Sequence, residues 1–154
     1  MMRWLYRLAD KARHQARLRL WTPEQATGRR GEDLAHRFLE RMGYRVVARN
    51  YRAPGGAGEI DLIAWDEDTL VMVEVKTLTT SEYSSPERAI DPHKQRSLFD
   101  TAASYRRRAG VEWDRVRFDT VSVLLTTPVE ITLRRDAFHP HQNTRRTRHG
   151  SAKA

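Results

Sequence analysis

Residues 58–76 constrain the fold of this chain more than any other stretch. Two apolar runs, rich in β-branched residues, flank the short polar segment 66–69. Such runs around a short turn predict an antiparallel β-hairpin. Because side chains alternate along a strand, Glu74 and Lys76 are expected on one face of the second strand and Val75 on the other. The hairpin therefore places charged residues at the end of a strand that is apolar enough to be buried.

That charged end carries the first functional hypothesis. Buried carboxylates and amines cost free energy unless they are paired or bound to a metal. If the hairpin register brings Asp61 beside Glu74, the two carboxylates suit a hard divalent cation such as Mg²⁺, which takes oxygen ligands. Lys76 could then activate a water or hold a phosphate oxygen. The alternative is a plain ion pair between Glu74 and Lys76 on a half-exposed strand.

The order of short motifs along the chain is more specific than the hairpin. Asp61, followed by Glu74-Val75-Lys76, resembles the D…(D/E)-x-K signature of the PD-(D/E)XK nuclease superfamily. The longer pattern resembles the YraN family, a bacterial family of largely uncharacterised proteins that is similar to archaeal Holliday-junction resolvases. That pattern spans about residues 27–138 and consists of GE at 31–32, the run 43–52, GEIDLI at 58–63, VEVKT at 73–77, Lys94 and RFD at 117–119.

The resemblance implies a restriction-endonuclease-like α/β fold with a mixed central sheet flanked by helices. It implies that Asp61, Glu74 and the Val75 carbonyl hold Mg²⁺ or Mn²⁺, and that Lys76 acts on the scissile phosphate. A glutamate of the first helix of the fold, Glu32, would complete the catalytic set. The implied activity is an Mg-dependent DNA endonuclease acting on branched, recombination or repair DNA, and the likeness to resolvases implies a homodimer.

Two other classes of function stay open at this stage. The domain could be a nucleic-acid-binding module without turnover, since a fold does not determine a function. It could also be a scaffold that binds a partner through its N-terminus. Candidate phosphate contacts are Arg49, Arg52 and Lys94, and for each the alternative is an ordinary solvated surface cation.

The rest of the chain predicts the element order α-β-β-β-α-β-β. Thr22-Pro23 and Asp91-Pro92 are typical of helix starts, because a capping side chain precedes proline at the first helical position. The first of these helices is expected to be interrupted or restarted near Gly28 and Gly31, so that Glu32 lies early in a helix. Asp119 falls inside an apolar strand and is expected to meet an arginine.

Charge divides the chain into three segments. The net charge is +8, with +6 on residues 1–30, −3 on residues 31–133 and +5 on residues 134–154. We therefore predict a basic amphipathic extension at 1–26, the endonuclease-like domain at 27–138 and a basic disordered tail at 139–154. Basic arms are typical of nucleic-acid binding but also of solubilising ends.

The N-terminal helix has an apolar stripe formed by Trp4, Leu5, Leu8 and Ala12. This helix could pack on the domain, lie on nucleic acid or touch an anionic membrane surface, and packing or a mobile arm is favoured. The chain has no cysteine and no apolar run long enough to span a membrane, so we expect a cytoplasmic protein. Residues 77–90 are expected to form a long loop.

Overall fold

The computed structural model describes residues 3–56, 58–79 and 90–139. Most of the predicted loop at 77–90 and nearly all of the predicted tail at 139–154 lie outside these residues. After one N-terminal helix, the element order is the predicted one. The elements are α1 (Arg3–Leu18), α2 (Pro23–Arg41), β1 (Arg45–Arg52), β2 (Glu59–Asp66), β3 (Thr69–Leu78), α3 (Pro92–Ala109), a 3₁₀ turn (Trp113–Arg115), β4 (Val116–Leu124) and β5 (Glu130–Arg134).

The five strands form one mixed sheet in the order β1-β2-β3-β4-β5. The β3–β4 pair is parallel and is connected through α3, whereas the other neighbours are antiparallel. In the predicted hairpin, Asp66 pairs with Thr69 and Leu62 with Val73. This mixed α/β architecture confirms the predicted fold class and is consistent with a restriction-endonuclease-like fold.

Helices cover the sheet on both faces. Ala35 and Leu39 of α2 pack on one face, against residues that include Val71 and Val73. Leu98 of α3 and its apolar neighbours pack on the other face. β3 is thus buried from both sides over most of its length, which explains its continuous apolar sequence.

α2 begins where the sequence indicates but is not interrupted. The Thr22 side chain accepts a hydrogen bond from the Gln25 amide (3.3 Å), and the Gln25 side chain accepts one from the Thr22 amide (3.2 Å), which completes a capping box. The helix then runs through Gly28 and Gly31 to Arg41. Glu32 therefore lies in the middle of a long helix and not in its first turn, because the capping signal at Thr22 dominates over two glycines that cost only about 1 kcal/mol each.

Gly31 brings α2 close to β3. A Cβ atom at this position would lie 1.8 Å from Oγ1 of Thr77, a distance that no side chain tolerates. The glycine is therefore required by close approach of the helix to the sheet, and its neighbour Glu32 is carried toward the end of β3 as a result.

The N-terminal helix packs on α2 through charged residues. Asp10, which is 6% exposed, accepts hydrogen bonds from Arg30 (3.0 Å) and Arg37 (3.5 Å), and Arg17 pairs with Asp33 at 2.8 Å. The helix packs on the domain, which was one of the favoured alternatives, but Leu8 of the predicted apolar stripe is exposed and takes no part in this packing. The side chains of Trp4 and Leu5 lie outside the described residues. The outer face of α2 is charged, and it therefore packs against the polar side of α1. None of the helices in the described ranges is long and apolar enough to cross a membrane.

A buried ion pair joins the ends of three strands. Asp119 of β4 is fully buried, and Arg117 donates to its two oxygens at 2.8 and 2.9 Å. Arg117 also donates to Asp66 at 2.8 Å, and the Asp136 amide donates to Asp119 at 2.9 Å. The predicted arginine partner of Asp119 is thus confirmed.

Removing this arginine should be costly. Arg117→Ala leaves Asp119 buried without a cation, and we expect the free energy of unfolding to fall by about 3–5 kcal/mol. Urea titrations of wild type and variant measure this loss. Arg115→Ala is the control, because Arg115 contacts only exposed groups of Asp68, its backbone oxygen at 3.0 and 2.9 Å and its carboxylate at 3.9 Å, and its removal should cost about 1 kcal/mol. Equal losses in the two variants would contradict the expectation.

Candidate active site

The pairing of β2 with β3 stops just before the charged residues of the hairpin. The paired residues of β2 and β3 end at Leu62 and Val73, although both strands continue beyond that point. The next residue of β2 is Asp61, and its side chain accepts a hydrogen bond from the Val75 amide at 2.8 Å. The carboxylate therefore binds a backbone group that ordinary strand pairing would satisfy, and it is fixed beside Glu74.

A cleft of about 500 Å³ lies at this point, between the first half of α2, the end of β3 and the first turn of α3. It brings together five of the predicted site residues, Glu32, Asp61, Glu74, Val75 and Lys94. Lys76 is not among the described residues that line the cleft. The remaining lining residues are Pro23, Glu24, Thr27, Gly28, Thr77 and Thr79.

Lys94 supplies the cation that contacts Glu74. Glu74 is 4% exposed, and its Oε1 accepts a hydrogen bond from Nζ of Lys94, in the first turn of α3. A lysine is disfavoured by the helix dipole at that position, so an anionic partner is required. From the sequence, an anion such as a phosphate was expected at Lys94. In the structure, the anion that contacts Lys94 is the carboxylate of Glu74. The pairing of Glu74 with a lysine from another element could not be predicted from strand alternation.

Asp61 is the most perturbed acid of the cleft. Burial and then the negative charge of Glu74 raise its pKa from 3.8 to about 7, and Glu32 contributes in the same direction. The Val75 amide and Lys94 oppose this shift. A carboxyl group whose ionisation is disfavoured by burial and by a second acid in the same cleft is typical of sites where a cation or a proton is exchanged.

Glu32 is held at the edge of the cleft by a polar network. Its Oε2 accepts hydrogen bonds from Arg29 and from Asn50, both at 3.1 Å. Asn50 also donates to Glu59 at 2.9 Å and accepts from Arg29. The Asn50 backbone has a φ of 49°, a left-handed conformation that asparagine tolerates better than most residues. Sequence reasoning missed Arg29 and Asn50, for which the only signal is an asparagine inside a predicted strand.

The two predicted phosphate contacts on β1 are engaged in ion pairs. Arg49 donates to Asp33 at 2.8 Å and lies 3.8 Å from Glu32. Arg52 donates to Glu59 at 2.6 Å. Both arginines thus lie on the border of the polar network, where their charges are already balanced within the protein.

The residues of the cleft fit a divalent metal ion of the Mg²⁺ type. In the described residues, no group of three or more His, Cys, Asp or Glu side chains is arranged to hold a metal. Two carboxylates, Asp61 and Glu74, do share the cleft, and their mutual repulsion is the interaction that a cation would relieve. Mg²⁺ is commonly bound by one or two carboxylates and keeps several waters, so this donor set is sufficient.

Comparison with known proteins assigns a family. Residues 31–123 match the family described as "Uncharacterised protein family UPF0102". A UPF0102 protein of Solibacter usitatus is 48% identical over 138 residues, which cover 90% of this chain and all of the relative. A UPF0102 protein of Koribacter versatilis is 44% identical over 113 residues, 73% of this chain and 78% of the relative. A UPF0102 protein of Geobacter sulfurreducens is 44% identical over 101 residues, 66% of this chain and 77% of the relative.

The raised pKa of Asp61 predicts a pH-dependent stability. An acid whose pKa is raised by folding stabilises the native state below its unfolded pKa of 3.8, and this contribution is lost as the pH rises through about 7. Asp61→Asn cannot ionise, and its amide oxygen can still accept from Val75. Without metal, we expect the variant to gain stability over wild type by a few kcal/mol, on the order of the shift in pKa, between pH 4 and pH 8.

Denaturant unfolding in the presence of a chelator measures this difference at each pH. Asp114→Asn is the control, because it removes an exposed carboxyl from the same protein. A stability difference between Asp61→Asn and wild type that stays constant from pH 4 to pH 8 would show that Asp61 ionises normally.

Proposed function

The chain belongs to the uncharacterised protein family UPF0102, the YraN family, and from its site we propose that it is a metal-dependent DNA endonuclease. The observation that carries the proposal is the placement of Asp61 and Glu74 in one cleft. Burial and then the charge of Glu74 raise the pKa of Asp61 to about 7, and a purely structural role would not require two acids there. Such an arrangement is typical of a site that takes up a cation and a phosphate.

Each residue of the cleft has a role in the proposal. Asp61 and Glu74 would hold Mg²⁺ or Mn²⁺ together with the Val75 carbonyl. A metal ion of this kind supplies a nucleophilic water and a Lewis acid for the phosphate oxygen. The Val75 amide keeps the Asp61 carboxylate in place at 2.8 Å. Glu32, fixed by Arg29 and Asn50, adds a further carboxylate at the edge where a water could be oriented.

The two lysines have different proposed roles, one toward the carboxylates and one toward the phosphate. Lys94 neutralises Glu74 inside the cleft and lowers the pKa of Asp61, so it keeps the carboxylates available near neutral pH. Lys76 lies one residue beyond Val75 on the same strand and is proposed to act on the scissile phosphate, as the motif implies. Branched DNA is the proposed substrate and a homodimer the proposed state, both from the resemblance to resolvases.

One alternative has a specific observation in its favour. Because Glu74 is already paired with Lys94, the cleft is partly neutralised without a metal, and no three acids of the described residues are arranged to hold a metal ion. These features would suit a nucleic-acid-binding module that does not cut. The two functions differ in one measurable property, which is metal-dependent cleavage of DNA. Only the nuclease would show it.

A cleavage panel tests the proposal. Duplex, single-stranded, flapped and four-way DNA are incubated with the protein and Mg²⁺ or Mn²⁺, and products are resolved on denaturing gels. We expect metal-dependent cutting that Asp61→Asn and Glu74→Gln abolish, while Asp114→Asn, the control for an exposed acid, cuts like wild type. A wild-type protein that binds these DNAs but leaves all of them intact would favour the binding module.

The lysines are predicted to have separable effects. Lys76→Ala should stay folded, bind DNA and cut on the order of 10²-fold more slowly, the cost of one transition-state contact. Lys76→Arg should not restore the rate, because a planar guanidinium presents its charge differently. Lys94→Ala should instead move the acidic limb of the pH–rate profile to higher pH, since the charge that lowers the pKa of Asp61 is lost.

The measurement is single-turnover cleavage across the pH range. Lys11→Ala, which removes an exposed lysine of α1, controls for nonspecific loss of positive charge. If Lys94→Ala lowered the rate equally at every pH and Lys76→Ala had no effect, the proposed roles of both lysines would be wrong.

A further inference from the structure

A partly exposed tryptophan lies just before the helix that lines the cleft. Trp21 is 41% exposed and precedes the capping residue Thr22, and the next residues along α2, Pro23 and Glu24, line the cleft. Tryptophan is enriched at binding interfaces because its ring is apolar and its N–H is polar, so an exposed one near a functional cleft is a candidate contact for a ligand.

The guanidinium groups of two arginines lie over the ring, and both are anchored by acids. The Arg17 guanidinium carbon is 5.7 Å from the ring centre and that of Arg29 is 5.8 Å. Arg17 pairs with Asp33 at 2.8 Å, and Arg29 pairs with Glu32 at 3.1 Å. A single arginine side chain thus separates the Trp21 ring from a carboxylate of the cleft. The ring and its cations are therefore held in a defined position next to the site.

A second tryptophan, Trp113, has a packing role in this protein and provides a comparison for Trp21. Trp113 stacks on Phe99 with 4.4 Å between ring centres and planes 7° apart, and the Arg106 guanidinium carbon lies 4.6 Å from the Trp113 ring. The arginines beside Trp21 are more than 1 Å farther from their ring than Arg106 is from Trp113. Trp21 thus has two cations over its ring at a longer distance, and 41% of its side chain stays exposed.

We propose that Trp21 is a stacking platform for an unpaired base of a DNA strand that enters the cleft. An exposed aromatic ring beside positive charges is the combination that binds single-stranded nucleic acid, because bases stack on the ring while cations attract the backbone. The inference rests on the proposed function for the identity of the ligand. It specifies the substrate class as DNA with an unpaired or splayed base near the scissile phosphate.

The same geometry explains why duplex DNA alone would be a poorer ligand. Bases within a duplex are stacked on each other, so a protein ring reaches a base face only where the strand is single or where a base has left the stack. Flaps, single strands and junctions expose such bases. The preference would therefore arise from ring stacking and not from hydrogen bonds to base edges.

The decisive experiment measures binding without cutting. A short single-stranded oligonucleotide and the same oligonucleotide with abasic sites are titrated in a chelating buffer, and affinity is followed by fluorescence anisotropy. We expect Trp21→Ala to weaken binding of the intact strand by about 5- to 100-fold, the usual cost of losing one stacked base. Binding of the abasic strand should be unaffected by the substitution, and Trp21→Phe should retain part of the affinity.

Two controls separate stacking from loss of apolar surface or fold. Leu20→Ala removes a neighbouring side chain that is 83% exposed and should bind like wild type. In the wild-type protein itself, intact DNA should quench tryptophan fluorescence more than abasic DNA does, and this excess quenching should survive in Trp113→Phe but vanish in Trp21→Phe. This second measurement does not depend on the stability of Trp21→Ala.

The results distinguish this inference from the nuclease proposal. Equal affinity and equal quenching for intact and abasic strands would overturn the stacking role, even if the protein cuts DNA. Loss of affinity in Trp21→Ala for intact DNA alone would support it, even if the wild-type protein cuts nothing.

Discussion

The repulsion between Asp61 and Glu74 is the interaction on which the site depends. Two carboxylates in one cleft cannot both be charged at low cost, so the surrounding structure must compensate for them. The Val75 amide holds one and Lys94 neutralises the other, and burial still raises the pKa of Asp61 to about 7. Natural proteins keep such costs mainly where function requires them, which is why these two residues define the candidate site.

The hairpin, the helix starts and the sheet were predictable because local chemistry determines them. A β-branched run around a polar turn has one low-energy arrangement, and Thr22 and Asp91 each cap a helix whose first residue is proline. The partner of Asp119 was predictable for a similar reason, since a buried acid needs a cation nearby. From the sequence, the approach of Asp61 to Glu74 was conditional on the register of the hairpin, and the observed pairing of Leu62 with Val73 makes these two acids the next residues along the two strands.

Features that depend on packing between distant elements were not predictable. Nothing local indicates that Lys94 of α3 contacts Glu74 of β3, or that Asn50 adopts a left-handed conformation to bridge Glu32 and Glu59. The packing of α1 on α2 through its polar side could not be predicted for the same reason. Its apolar stripe is visible in the sequence, but the charged surface that selects the face of Asp10 belongs to α2. Helix amphipathicity identifies a face, whereas only the partner element determines which face is buried.

Charge balance around the cleft bears on how an acidic site could receive a polyanion. Three acids at or near its border have basic partners, namely Arg29 or Arg49 for Glu32, Arg17 for Asp33 and Arg52 for Glu59. Inside the cleft, a raised pKa favours a proton on Asp61, and Lys94 balances Glu74. Much of the negative charge that a phosphate would meet is therefore balanced before any metal is bound. Uptake of a divalent cation would replace a proton, so metal affinity and proton release would be coupled at neutral pH.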